Sequence, residues 1–136
     1  MSNSIDPAIL RPKELKPNDR GGGISSIPLV TRRIGSASFI NGITDITHNA
    51  AVELHTHNCD ESVIVLSGQA IAEIAGIRYS LETHDTSWIP AGVAHRFINA
   101  SDTAPLRIFW TYASVNATRT LLATGQIRTI DSEHGH

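Results

Sequence analysis

His55-Thr56-His57-Asn58-Cys59-Asp60-Glu61-Ser62-Val63-Ile64-Val65-Leu66-Ser67-Gly68 is the stretch around which this chain is organised. Side chains alternate faces along a strand, so His55 and His57 project to the same side. Glu61 comes four residues after His57, across the polar break Asn58-Cys59-Asp60, which can turn the chain into a second strand. Two imidazoles and a carboxylate brought together form an N,N,O cluster suited to Zn, Fe, Mn, Ni or Cu, with positions open for water, oxygen or substrate. Two histidines on an exposed strand face would show the same spacing. The residues after them favour a metal, because Glu61 opens the apolar run Val63-Ile64-Val65-Leu66, where an unpaired carboxylate is costly. His95 offers a fourth donor at the start of a strand, just after the Pro90-Ala91-Gly92 turn.

Outward from this stretch the pattern is β throughout. Residues 27–34 and 37–47 are rich in Ile, Val, Thr and Phe, with Gly35 and Gly42 as expected bends or bulges. His48-Asn49-Ala50 reads as a turn and residues 51–57 as the strand delivering the first two histidines. Residues 69–74 and 77–81 form a hairpin around Ala75-Gly76. Leu106, Ile108, Trp110 and Tyr112 alternate with Arg107, Phe109 and Thr111, a half-buried strand by period. Residues 118–123 suit a short helix or an extended segment, and residues 127–130 a last strand. Short strands at this spacing, with no long amphipathic helix between them, indicate an all-β antiparallel barrel or jelly roll.

His55-x-His57-x3-Glu61-x6-Gly68 resembles the first motif of the cupins, and Pro90-x-Gly92-x2-His95-x3-Asn99 resembles the second. Eight positions agree in order and spacing, and the resemblance covers residues 35–112. It implies a double-stranded β-helix, or jelly-roll barrel, holding one divalent ion (Fe, Mn, Zn or Ni) on His55, His57, Glu61 and His95. Two positions depart from the family pattern. Asn49 and His84 stand where the motifs open with glycine. Asn tolerates left-handed backbone well and His less readily, so the turn at His84 is expected to differ locally.

The chain has 136 residues, the length of one domain with a real core. Net charge is −2, which leaves no basic footprint for nucleic acid or anionic membrane. A single cysteine excludes an internal disulfide and fits a reducing compartment. No apolar run reaches membrane-spanning length and the polar N-terminus has no signal-peptide core, so a cytoplasmic protein is the expectation. Residues 1–23 read as an arm ending in the flexible joint Gly21-Gly22-Gly23, either disordered or lying across a neighbouring subunit through Ile5, Ile9, Leu10 and Leu15. Residues 24–130 are the barrel, and residues 131–136, with His134 and His136, a tail. Outward apolar residues Ile64, Leu66, Trp88 and Phe109 suggest a homodimer.

Around the metal, Phe97, Trp110 and Tyr112 are expected to form an apolar wall. Glu53 shares parity with His55 and His57, so it either contacts substrate or ligands or stands in solvent at the barrel mouth, the latter being favoured. Cys59 reads as a small packed residue. No Ser-His-Asp spacing, P-loop or dinucleotide fingerprint occurs, so nucleophilic hydrolysis and nucleotide chemistry find no support. Small cupins with all four ligands are often dioxygenases, isomerases, decarboxylases or lyases. The resemblance therefore implies a metal-dependent enzyme on a small oxygen-bearing substrate. The alternative is a binding or sensing module, less favoured because pure storage or sugar binding needs no four metal donors.

Overall fold

In a computed structural model, the structure describes residues 6–134. These fold into twelve short strands in chain order: β1 (Asn18–Gly21), β2 (Ile24–Pro28), β3 (Ile40–Ile46), β4 (His55–His57), β5 (Glu61–Ser67), β6 (Ala70–Ile74), β7 (Ile77–Leu81), β8 (Thr86–Ile89), β9 (His95–Asn99), β10 (Leu106–Tyr112), β11 (Thr118–Leu121) and β12 (Ile127–Thr129). Two six-stranded sheets result, in the orders β1-β2-β3-β10-β5-β8 and β12-β11-β4-β9-β6-β7. Every strand pairing is antiparallel, and the pair of facing sheets is a jelly roll.

The alternation in sequence becomes the two faces of each sheet. Along β10 the buried residues are Leu106, Ile108, Trp110 and Tyr112, with half-buried residues between them. Val63 and Val65 of β5, Ile46 of β3 and Ile89 of β8 fill the core from the same sheet, against Ala70, Ala72 and Phe97 of the other. Each Val, Ile or Leu buried this way stabilises the fold by about 1.5–3 kcal/mol. At the far end of the interior, Asn99 donates to the carbonyls of Ile46 and Ala104 and accepts from the Ser101 N–H, clamping the loop before β10.

Several local expectations are revised. The sheet begins within the stretch expected as an arm, because β1 pairs with β2; Gly22 and Gly23 are the turn between them, and Gly21, Gly22 and Gly23 all have positive φ. The strand expected over residues 27–34 stops at Pro28. Beyond it the Val30 N–H is taken by the Asn41 side chain, and a 3-10 turn at Arg32–Ile34 closes on left-handed Gly35. Gly42 is no bulge, since it sits in register opposite Trp110. Only Ala51 and residues 55–57 of the strand expected over 51–57 are in the ladder. The segment at 118–121 is extended, not helical. Ala75 and Gly76 both have positive φ, as a two-residue hairpin loop of type I′ requires. Asn49 and His84 adopt φ of 62° and 75°, so both turns keep the glycine-like conformation without glycine. Ile5 and His136 lie outside the described residues.

Candidate metal centre

The centre is assembled by register. His55 on β4 stands directly opposite His95 on β9, and His57 lies two residues along the same inward face. Glu61, the first residue of β5, comes from the opposing sheet, between Tyr112 of β10 and Ile89 of β8. Three imidazoles from one sheet and a carboxylate from the other thus meet in the interior, each no more than 5% exposed. Their donor atoms all lie within 4.8 Å of one another.

The loops that deliver these residues are tied together. The Asp60 carboxylate accepts the Ala91 N–H and the Trp88 indole N–H, and the Gly92 N–H donates to the His57 carbonyl. The turn before His95 is thereby anchored to the turn between His57 and Glu61. Asn58 brackets the next strand, accepting the Thr118 N–H and donating to the Asn116 carbonyl.

The hydrogen bonds decide which nitrogen each histidine presents. His55 Nδ1 lies 2.6 Å from the Glu53 carbonyl, His57 Nδ1 2.9 Å from that of Thr118, and His95 Nδ1 2.9 Å from that of Val93. A carbonyl only accepts, so every Nδ1 carries the proton and every Nε2 presents a lone pair to the centre. Those lone pairs face a carboxylate. Glu61 Oε1 is 2.9 Å from His95 Nε2 and 3.3 Å from His57 Nε2, and the latter nitrogen is buried without a hydrogen bond. Lone pairs converging on an anion repel unless a proton or a metal ion lies among them. Donors sharing one ion at about 2.1 Å stand roughly 3–4 Å apart, which these spacings match. The donor set therefore fits a divalent ion, and the backbone acceptors behind each ring are the supports that orient metal-bound histidines.

Burial drives the His55 imidazole down from 6.5 to about 2, assisted by the positive charge of Arg119 and by His95 and His57. It remains neutral and able to ligate. Burial would raise the Glu61 carboxyl, but hydrogen bonds and charge from His57 and His95 outweigh it and hold it well below the usual carboxylate range. Both shifts keep the donors in their metal-binding forms.

Phe97, Trp110 and Tyr112 are buried and line the inner chamber beside His55, Glu61 and His95, with the Tyr112 ring 4.6 Å from that of His57. The chamber has only about 20 Å³ of free space, room for one water-sized group. A substrate body does not fit against this wall. It has space in an outer cavity of about 570 Å³, walled by β1, β11 and β12, which shares Arg20, Val52 and Arg119 with the inner chamber. Exposed Glu53 lines the outer cavity and not the inner one, so its inward parity is broken where its carbonyl turns to His55. Cys59 is half-buried against the core, and burial pushes its thiol up. His48 and His84 are exposed.

Arg20 and Arg119 were not singled out by the sequence. Arg119 is 6% exposed and pairs with His57 across β11 and β4. Its signal was a charge at the same strand parity as buried Leu121.

A two-sheet jelly roll enclosing a three-histidine, one-glutamate cluster defines a cupin-type metal site. The chain belongs to the cupin family, whose description as a cupin domain matches residues 42–112. It is similar to the polyketide synthase CurC of Streptomyces cyaneus, 26% identical over 108 residues, covering 79% of this chain and 70% of that protein. Among solved structures it resembles the polyketide cyclase RemF of Streptomyces resistomycificus, with a TM-score of 0.74 and 15% identity over 92% of this chain and 86% of that one. It also resembles a sugar phosphate isomerase of the cupin superfamily from Silicibacter pomeroyi, with a TM-score of 0.71 and 17% identity over 91% and 94%. At these identities the solved structures establish the fold. Among the described residues no helix is long and apolar enough to cross a membrane.

Proposed function

We propose that this cupin is a metal-dependent enzyme acting on an enolisable polycarbonyl substrate of the polyketide kind, closing a ring by carbon–carbon bond formation. The observation that carries the reading is the buried convergence of three Nε2 lone pairs and Glu61, reached through an outer cavity of about 570 Å³. That volume lies in the range that buries a small organic molecule. The similar folds include an isomerase, so fold alone does not choose the reaction. The sequence likeness to a polyketide synthase and the structural likeness to a polyketide cyclase both favour polycarbonyl chemistry.

A divalent ion bound here would supply a Lewis acid for one carbonyl or enolate oxygen. His55, His57 and His95, locked by their backbone acceptors, hold the donor geometry through turnover. The ring wall of Phe97, Trp110 and Tyr112 excludes water from the chamber and so would strengthen the polarisation that a metal held there supplies. Loss of a proton from the carbon between two carbonyls leaves an enolate. Its carbon attacks a second carbonyl of the chain, whose oxygen takes up a proton, and water then leaves as the ring becomes aromatic.

The test uses a synthetic tetra-β-ketone, nonane-2,4,6,8-tetraone, with protein of known metal content. Metal-loaded protein is expected to accelerate the appearance of phenolic absorbance, and His57→Ala to lose both metal and acceleration. Equal rates with loaded protein, His57→Ala protein and buffer overturn the reading and leave a ligand-binding cupin.

A further inference from the structure

Two hydroxyls are buried beside the metal chamber and belong to no ligand set. Ser26 on β2 and Thr44 on β3 stand directly opposite each other, Ser26 fully buried and Thr44 3% exposed. Their oxygens are 3.1 Å apart. Trp110 Nε1 donates to Thr44 Oγ1 over 2.8 Å, and Arg20 Nη1 donates to Ser26 Oγ over 3.3 Å.

The direction of the bond between the two hydroxyls follows from counting protons. Each hydroxyl has one proton to give and two lone pairs to receive, whereas indole and guanidinium only give. Among the described residues, the Ser26 proton has one acceptor within reach, Thr44 Oγ1. If Thr44 gave its proton to Ser26 instead, the Ser26 proton would be sealed in the core, because Ser26 borders neither cavity. A buried donor left without an acceptor costs more than a neutral hydrogen bond yields. Ser26 therefore donates to Thr44. Both lone pairs of Thr44 Oγ1 are then filled, by the indole and by Ser26, and the Thr44 proton is left over. Thr44 lines the inner chamber, and that is where its proton can be received.

Thr44 is no metal donor. The Trp110 and Tyr112 rings, 5.2 Å apart at their centroids, come between it and His57, whose ring is 4.6 Å from that of Tyr112. Ser26 joins Thr44 to Arg20, which lines both cavities, so Thr44 stands on the throat side of the chamber. Resting on the metal-dependent reading above, we propose that Thr44 is a specificity-determining residue. Its hydroxyl donates a hydrogen bond to a further oxygen of the substrate, beyond those that reach the His/Glu centre. The substrate class narrows to chains carrying three or more oxygens in 1,3 relation, one of them held at the throat.

The experiment compares heptane-2,4,6-trione with heptane-2,4-dione, in which a methylene replaces the third carbonyl. Each is titrated into cobalt(II)-loaded protein, with the visible spectrum of the metal as the readout. The ratio of the two affinities is compared between variants, so the probes' intrinsic difference in metal affinity cancels. Cobalt loading equal to wild type shows that a variant is folded. Thr44→Val keeps the shape and removes the hydroxyl. It is expected to lower the preference for the trione about three- to tenfold, the yield of one neutral hydrogen bond, with dione binding within twofold of wild type. Thr44→Ser should restore the preference. Should the valine variant fail to fold for want of an acceptor for the Trp110 indole, Thr44→Cys is read in the same way, since its sulfur still accepts and its S–H donates weakly. Ser26→Ala removes a donor to Thr44 and not the Thr44 proton, so the preference should not rise. A rise of threefold or more would show Thr44 giving its proton to Ser26 and overturn the assignment. An unchanged preference in Thr44→Val or Thr44→Cys, or dione and trione weakened alike, overturns the proposal while leaving the metal reading standing. A cobalt spectrum that neither probe perturbs overturns the metal reading itself and the proposal with it.

Discussion

Replacing Gly42 with alanine tests how the barrel makes room for the wall of its metal chamber. Gly42 lies in β3 directly opposite Trp110, and the missing side chain is the slot into which the indole lies. A Cβ at this position would stand 2.5 Å from Trp110 Cζ2 and 2.7 Å from the Ile27 carbonyl oxygen. The carbonyl is backbone in the adjacent strand and cannot retreat without breaking the β2–β3 ladder. The indole is 4% exposed and held by a 2.8 Å hydrogen bond from its Nε1 to Thr44 Oγ1. Overpacking of this kind costs about 1–3 kcal/mol, and loss of the indole hydrogen bond adds about 1, so the expected destabilisation is about 2–4 kcal/mol. Urea denaturation gives that number. Fluorescence reports the cause in a Trp88→Phe background, where buried Trp110 is the one remaining tryptophan. The alanine variant should lose the blue-shifted component of the emission. A loss below about 1 kcal/mol with an unchanged spectrum would refute the argument that glycine is needed to seat Trp110.

Four further outcomes are expected. Chelation should lower the melting temperature and added metal restore it, because the donors come from three strands; at a thousandfold excess over Kd the linkage is about 4 kcal/mol, or roughly 10 °C, seen by calorimetry. In metal-free protein, neutral His55 makes stability full above pH 6.5 and decreasing as pH falls below it, since the unfolded chain takes up a proton the native state refuses. The loss should be about 2 kcal/mol between pH 6.5 and 5, and urea midpoints that do not move over that range would contradict it. His84→Gly should raise stability by up to about 1 kcal/mol by relieving the left-handed backbone at φ 75°, and a destabilised variant would show that the imidazole has another role. We also propose a homodimer through the outer face bearing Ile64, Leu66, Phe109 and exposed Trp88; light scattering should return twice the chain mass for wild type, and a monomer mass at micromolar concentration refutes it.

The fold class and the His-x-His pair were legible in the sequence because both depend on short-range regularities, and the resemblance to the cupins supplied Glu61 and His95 as their partners. Alternation along β5 and β10 announces a half-buried sheet, and His-x-His puts two imidazoles on one face wherever that strand lies. The two motif turns were less legible. Left-handed backbone is usually announced by glycine, and here Asn49 and His84 adopt it under the constraint of the surrounding ladders. Gly42 misled for the opposite reason. Its lack of a side chain serves a residue 68 positions away, so nothing local distinguishes a slot from a bulge. Sequence period alone would put Glu53 with the histidines; its carbonyl turns to His55 and its side chain is exposed, in line with the favoured reading of a residue at the barrel mouth. The row His57–Arg119–Arg128 could be decided only by the tertiary structure, because cross-strand neighbours are set by register between segments far apart in the chain. Which donors the protein owns is thus written in its local pattern, while the size of the chamber and the charges at its mouth exist only once the two sheets are packed.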